Sequence, residues 1–107
     1  MEDGDWHFKG NRLNIYASID FAYAYSKKAD YTAVVVIGID QDNQIYILDI
    51  QRFRAGRVSE YFKELALMHS KWGFLKLRAE VTAAQEVIVR DLKDMLKREG
   101  LRLSVVS

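Results

Sequence analysis

The sequence predicts a single α/β domain: a mixed sheet with helices packed on it, in the order β-β-β-α-β-α-β. Three observations carry this. Three β-rich apolar stretches, residues 13–20, 32–39 and 45–53, come first. Two stretches with apolar residues at helical spacing follow, at 60–71 and 83–98. Each of these is succeeded by another short apolar run, at 74–80 and 101–106. Alternation of helices and strands late in a chain calls for parallel crossovers and a sheet with helices on its faces. The 107 residues allow one domain, and a 50% hydrophobic content is enough for a core.

Residues 1–12 read as a polar lead, open to disorder, ahead of a domain running from 13 to 107; in the lead, Trp6 and Phe8 offer apolar surface to pack back. The first strand, Asn14-Ile15-Tyr16-Ala17-Ser18-Ile19, is closed by Asp20. Residues 21–31 form a connection with a solvated centre at Ser26-Lys27-Lys28-Ala29-Asp30. The run Thr32-Ala33-Val34-Val35-Val36-Ile37 is almost wholly apolar, the pattern of a strand covered on both faces. A polar turn at residues 40–44 then makes an antiparallel hairpin with the strand 45–53. Ser59 is placed to cap the first helix, whose core positions are Tyr61, Phe62, Leu65, Leu67 or Met68, and Trp72. Gly73 stops it. Thr82 is placed to cap the second helix, with core positions Val87, Ile88, Leu92, Met95 and Leu96, and Gly100 ends that one.

Composition closes off several function classes. Sixteen basic and fifteen acidic residues leave a net charge of +1, so any nucleic-acid surface must be local. There is no cysteine, which excludes disulfides and thiolate metal sites. No apolar run approaches the roughly 20 residues that span a bilayer, and Met1-Glu2-Asp3-Gly4-Asp5 does not resemble a signal peptide. A phosphate-binding glycine loop and a nucleophile elbow are both absent from the sequence. No proline occurs, so the turns fall to Gly, Asn and Asp.

The chemistry-bearing candidates are acids at strand ends. A carboxylate closing a buried strand serves no packing purpose and is costly to desolvate, so Asp20 is a candidate ligand for a metal, a cation or a backbone donor. Glu80 closes the strand Phe74-Leu75-Lys76-Leu77-Arg78-Ala79 in the same way. If the two strands are parallel neighbours, both acids leave the sheet at the edge where open α/β sheets place ligands. Carboxylates converging there can hold Mg²⁺ or Mn²⁺. The plainer readings are a solvated loop acid for Asp20 and a helix cap for Glu80, although Thr82 is the better cap. Asp30 could reach the same edge or pair with Lys27 or Lys28. Asp49 reads as a solvent-facing residue of an edge strand, and His69 as a helix-boundary residue. Lys27, Lys28, Arg52, Arg54 and Arg57 are positioned to meet phosphates or simply to keep the surface soluble.

Asp20-Phe21-Ala22, then Ala29-Asp30-Tyr31-Thr32-Ala33-Val34-Val35-Val36-Ile37-Gly38, then Ile45-Tyr46-Ile47-Leu48-Asp49-Ile50 and Ala79-Glu80-Val81-Thr82-Ala83-Ala84-Gln85 resemble the nuclease domain of phage terminase large subunits. The resemblance covers residue 13 to the C-terminus. It implies an RNase H-like fold and a Mg²⁺- or Mn²⁺-dependent endonuclease that cuts concatemeric double-stranded viral DNA in the host cytoplasm. It implies catalytic and metal roles for Asp20 and Glu80, an accessory metal role for Asp30, and a packaging ATPase, portal and small terminase as partners. Lys27, Lys28, Arg54 and Arg57 are the DNA-contact candidates. The family has an ATPase motor before the nuclease and a third essential carboxylate after the fifth strand; the residues up to Ser107 offer neither. The chain is therefore expected to be the front part of such a domain, with low or no activity alone. The alternatives are a Holliday-junction resolvase or transposase-like nuclease of the same fold, and a non-catalytic DNA-binding or assembly module.

Overall fold

All six described strands join one sheet built outward from its middle strand. The computed structural model describes residues 6–21, 32–55, 57–81 and 85–106, and at Glu80 it describes the backbone. In chain order the elements are β1 (Trp6–Phe8), β2 (Asn11–Asp20), β3 (Thr32–Ile39), β4 (Ile45–Phe53), α1 (Val58–Trp72), β5 (Lys76–Glu80), α2 (Glu86–Glu99) and β6 (Ser104–Val106). The sheet is mixed, in the order β4-β3-β2-β5-β6, with β1 paired to β2. The pairs β1–β2, β2–β3 and β3–β4 are antiparallel; β2–β5 and β5–β6 are parallel. The protein is thus a mixed α/β fold with a six-stranded sheet and two helices among its described residues.

β1 is an addition to the expected order, in the stretch read as a polar lead. Its hairpin with β2 turns through Lys9 and Gly10, with φ of 51° and 82°. Positive φ at both central residues defines the tight hairpin turn whose twist matches the flanking strands. A three-residue strand is weak by itself. Trp6 holds this one by donating its indole N–H to the Trp72 carbonyl at 2.9 Å and by packing its ring, tilted by 40°, against that of Trp72 at 4.7 Å. Phe8 packs on Tyr46 at 4.8 Å.

The helix boundaries shift from those expected. α1 starts two residues early, with Arg57 as N-cap and no side-chain capping bond, so Ser59 lies inside the first turn. Its buried stripe is Tyr61, Leu65 and Met68, and Leu67 faces outward. α2 begins at Glu86 behind Gln85; Thr82, the expected cap, lies outside the described residues. Its buried face is Ile88, Val89, Leu92 and Leu96, so Val89 takes the place expected for Val87, which is exposed. Gly73 and Gly100 both end their helices with left-handed φ, 73° and 72°, that favours glycine.

The core lies between one face of the sheet and both helices. Ala17, Ile19, Val34, Val36, Leu77, Ala79 and Val105 meet Tyr61, Leu65, Met68, Ile88, Leu92 and Leu96. Burial alternates along β3, with Thr32, Val34, Val36 and Gly38 buried and Ala33, Val35, Ile37 and Ile39 half-buried. This corrects the expectation that β3 is covered twice: among the described residues the helices cover one face. Tyr16, Ile45, Ile47, Ile50 and Val106 are exposed.

Candidate functional site

β2 and β5 are parallel neighbours in the middle of the sheet. Their register pairs Ala17 with Leu77, Ser18 with Arg78, Ile19 with Ala79, and Asp20 with Glu80. Two acids sixty positions apart in sequence therefore end adjacent strands side by side, with strand axes about 4.8 Å apart. The helix-covered face consumes the odd-numbered residues of both strands, Ala17, Ile19, Leu77 and Ala79, all buried. Asp20 alternates with these and is exposed. Beyond it the chain turns inward at buried Phe21, whose carbonyl accepts a 3.1 Å hydrogen bond from the Gln85 amide. That bond ties the end of β2 to the start of α2.

The uncovered face carries two basic residues that the sequence reading passed over. Arg78 is the register partner of Ser18, one step back from the acid pair, and Lys76 lies one further alternate position back. Both are exposed, and with Tyr16, Ser18 and Asp20 they line a groove of about 970 Å³. The signal was available: Lys76, Arg78 and Glu80 are the polar alternates of an apolar strand, so they share a parity and hence a face.

The remaining expected site residues fall as follows. Asp30, Lys27 and Lys28 lie outside the described residues. Arg54 and Arg57 are exposed in the connection after β4. Phe53 pairs with Thr32, and Ala33 pairs with both Arg52 and Asp20, so β4 ends at the same sheet edge as β2. Arg54 thus emerges two strands from Asp20, about 10 Å across the sheet. Arg57 also faces Glu60 at 3.8 Å. His69 is a boundary residue as expected, its ring edge-on to Phe74 at 5.7 Å and its Nε2 3.1 Å from the Arg102 carbonyl oxygen.

Asp49 corrects another expectation. It is half-buried on the helix side rather than solvent-facing, accepting a 2.9 Å bond from the Trp72 indole and lying 3.7 Å from Lys71 Nζ. The Trp72 bond holds its carboxyl below the ordinary range; burial opposes this, and Gln51, Lys71 and the Ile50 N–H add to the lowering. Asp40 organises the β3–β4 turn, accepting bonds at 2.9 Å from the Asp42 and Gln44 N–H groups and from the Tyr46 hydroxyl. Burial pushes its pKa up, but the bonds from Gln44, Tyr46 and Asp42 together bring it below the usual value. The Tyr46 phenol is raised, first by that same bond to Asp40 and then by burial and the nearby charges of Asp40 and Asp42. These perturbed groups belong to the scaffold.

The chemistry available at the sheet edge is that of hard oxygen donors. Among the described residues no three His, Cys, Asp or Glu side chains converge. Asp20, with position 80 beside it, provides the carboxylate donor type that Mg²⁺ and Mn²⁺ prefer. No described helix is long and apolar enough to cross a membrane. No protein-family model and no curated protein sequence matches the chain.

Proposed function

We propose that this domain is an RNase H-like, metal-dependent endonuclease fold of the phage-terminase kind, acting on double-stranded DNA. The observation that supports the reading is the parallel register of Asp20 and Glu80 at the C-terminal ends of two central strands. Open α/β sheets bind ligands at that edge. Asp20 and Glu80 would hold Mg²⁺ or Mn²⁺, with Asp30 as an accessory ligand. When bound there, the ion supplies an activated water and charge stabilisation for the departing 3′ oxygen. Arg78 and Lys76, on the same face, would take phosphate oxygens flanking the scissile one, and Arg54 and Arg57 would meet the duplex further out. A DNA-packaging ATPase, portal and small terminase are the partners this reading brings with it, in the cytoplasm of a bacterial host.

Titration calorimetry with Mn²⁺ tests the site without requiring turnover. The expected result is binding that Asp20→Asn and Glu80→Gln each weaken by about tenfold or more, the loss of one carboxylate ligand. Equal binding in all three proteins would remove the metal from the proposal. Incubation with plasmid DNA and Mn²⁺ then separates an active nuclease from a binding module: cutting abolished by Asp20→Asn supports catalysis, and the expected level is low because two acids leave a two-metal site short of ligands.

A further inference from the structure

On the nuclease reading of this site, we infer that the uncovered face of β2, β3 and β5 holds an unpaired nucleic-acid strand, its backbone over β5 and its bases over β2 and β3. The register lays two rows of side chains across that face. In one, Arg78 pairs with Ser18, and Ser18 with Val35. In the other, Tyr16 pairs with Ile37, and the same register carried one residue back sets Lys76 beside Tyr16. Each row therefore runs from a cation on β5, through Ser18 or Tyr16, to an aliphatic residue on β3. All six residues line the groove of about 970 Å³. The next row holds Asp20 between position 80 and Ala33, with Arg52 beyond Ala33.

This cross-section matches one polynucleotide strand, which carries charge along one edge and flat, apolar-faced bases along the other. A duplex presents its phosphates outward and keeps its base faces stacked, so it would leave Val35, Ile37 and the Tyr16 ring facing water. The ring itself points to a stacking partner. Tyr16 is 41% exposed, and it belongs to no ring pair among the described residues. Phe8, the other exposed aromatic among them, packs on Tyr46. An aromatic ring on an open sheet beside basic side chains is the surface on which single-strand binders stack bases without reading sequence. Alternate strand positions lie about 6.8 Å apart, so Lys76, Arg78 and position 80 form a straight path along β5. A backbone that meets the two cations continues over the acid pair. Arg52, exposed beyond Ala33, adds a third cation to the face. A duplex acted on here opens locally, so that one strand crosses the groove.

Fluorescence anisotropy of the full 107-residue chain in EDTA tests this. The probes are a labelled oligo(dT) of about 15 nucleotides, within the range that single-strand surfaces cover, and a blunt duplex of the same length. The expected result is single-strand binding about tenfold or more tighter than duplex binding. Its log K should fall against log salt with a slope of about −2, from Lys76, Arg78 and Arg52 at about 0.7 for each phosphate contact. Tyr16→Ala should weaken single-strand binding by about tenfold, the loss of one stacked base, and leave duplex binding within about twofold. Tyr16→Phe keeps the ring and should bind like the parent. Tyr16→Leu is the second variant should Tyr16→Ala unfold by circular dichroism, and it too should lose the stacked base. Duplex bound as tightly as the single strand overturns the proposal, as does polyphosphate, a polyanion without bases, bound as tightly as oligo(dT). So does no binding of oligo(dT), a Tyr16→Phe loss equal to that of Tyr16→Ala, or a folded Tyr16→Ala or Tyr16→Leu that binds like the parent. EDTA removes the divalent ions, so these outcomes are separate from the Mn²⁺ titration: the strand-binding result can fail with the metal site intact, and the metal site can fail with strand binding intact.

Discussion

The Trp72 indole donates to an Asp49 carboxylate oxygen at 2.9 Å, joining the last turn of α1 to the edge strand β4. Lys71, one residue earlier, lies 3.7 Å from the same oxygen, and the Gln51 amide donates to the other carboxylate oxygen at 3.2 Å. A hydrogen bond to a charged, half-buried acceptor contributes about 1–2 kcal/mol. Trp72→Phe should lower the unfolding free energy by that amount in urea titrations, with an unchanged m-value. Because the folded carboxyl titrates below its unfolded value, its contribution is fully present above the unfolded pKa and is lost as pH falls through the folded one. Asp49→Asn should therefore flatten the decline in stability below about pH 4.

Asp40 and Tyr46 hold one another's titration in opposite directions, the carboxyl down and the phenol up. Tyr46→Phe removes a donor to the carboxylate, so the Asp40 pKa should rise toward the ordinary value in a carbon-detected NMR titration. Asp40→Ala should bring the Tyr46 phenol down toward 10.0, followed by its ultraviolet absorbance. A Tyr46 titration unmoved by Asp40→Ala would show that the turn is not organised by this bond in solution.

Gly38 sits where β3 meets Leu13 and Leu48. A Cβ built there lies 3.0 Å from Leu13 Cδ1, 3.2 Å from Leu48 Cδ1 and 3.3 Å from Leu13 Cβ. The two methyl ends can swing away, but Leu13 Cβ is fixed to its strand. Gly38→Ala should destabilise by about 1 kcal/mol, at the low end of overpacking, measured by chemical denaturation.

Arg78 gives the nuclease reading an electrostatic test. If it meets a phosphate, Arg78→Ala should weaken duplex binding alike across sequences and reduce the slope of log K against log salt by about one unit. Salt-dependent fluorescence anisotropy reads this directly, and an unchanged slope would place Arg78 outside the DNA path.

What the sequence disclosed follows from locality. Asp20 and Glu80 stand out because an apolar run stops at an acid in each case, and their parallel pairing follows from the strand–helix–strand order that brings β5 back into the sheet. The hairpin of β3 and β4 is a local event and was legible to the residue. Other features depend on contacts that no window of sequence contains. β1 exists through Trp6 and Trp72, 66 residues apart. Asp49 is held by a partner 23 residues on. The continuous apolar run of β3 reads alike whether one face or two is covered, so the exposed side of the sheet was invisible. Val87 and Val89 flank Ile88 on either side and differ by 200° of helical phase, so which of them completes the stripe with Leu92 and Leu96 is set by how α2 lies on the sheet.

The chain's only two tryptophans, Trp6 and Trp72, pack against each other at 4.7 Å in a single corner of the fold. Trp6 pairs with Leu13, seven residues along β2 from Asp20, roughly 24 Å at strand rise. Intrinsic fluorescence is therefore a local gauge. It reports the docking of the amino-terminal hairpin on α1 and is nearly blind to the acid-bearing end of the sheet. Emission and circular dichroism that melt at different temperatures would mark this corner as an independently fraying unit, and a spectroscopic search for metal or DNA binding would need a new fluorophore placed near β5.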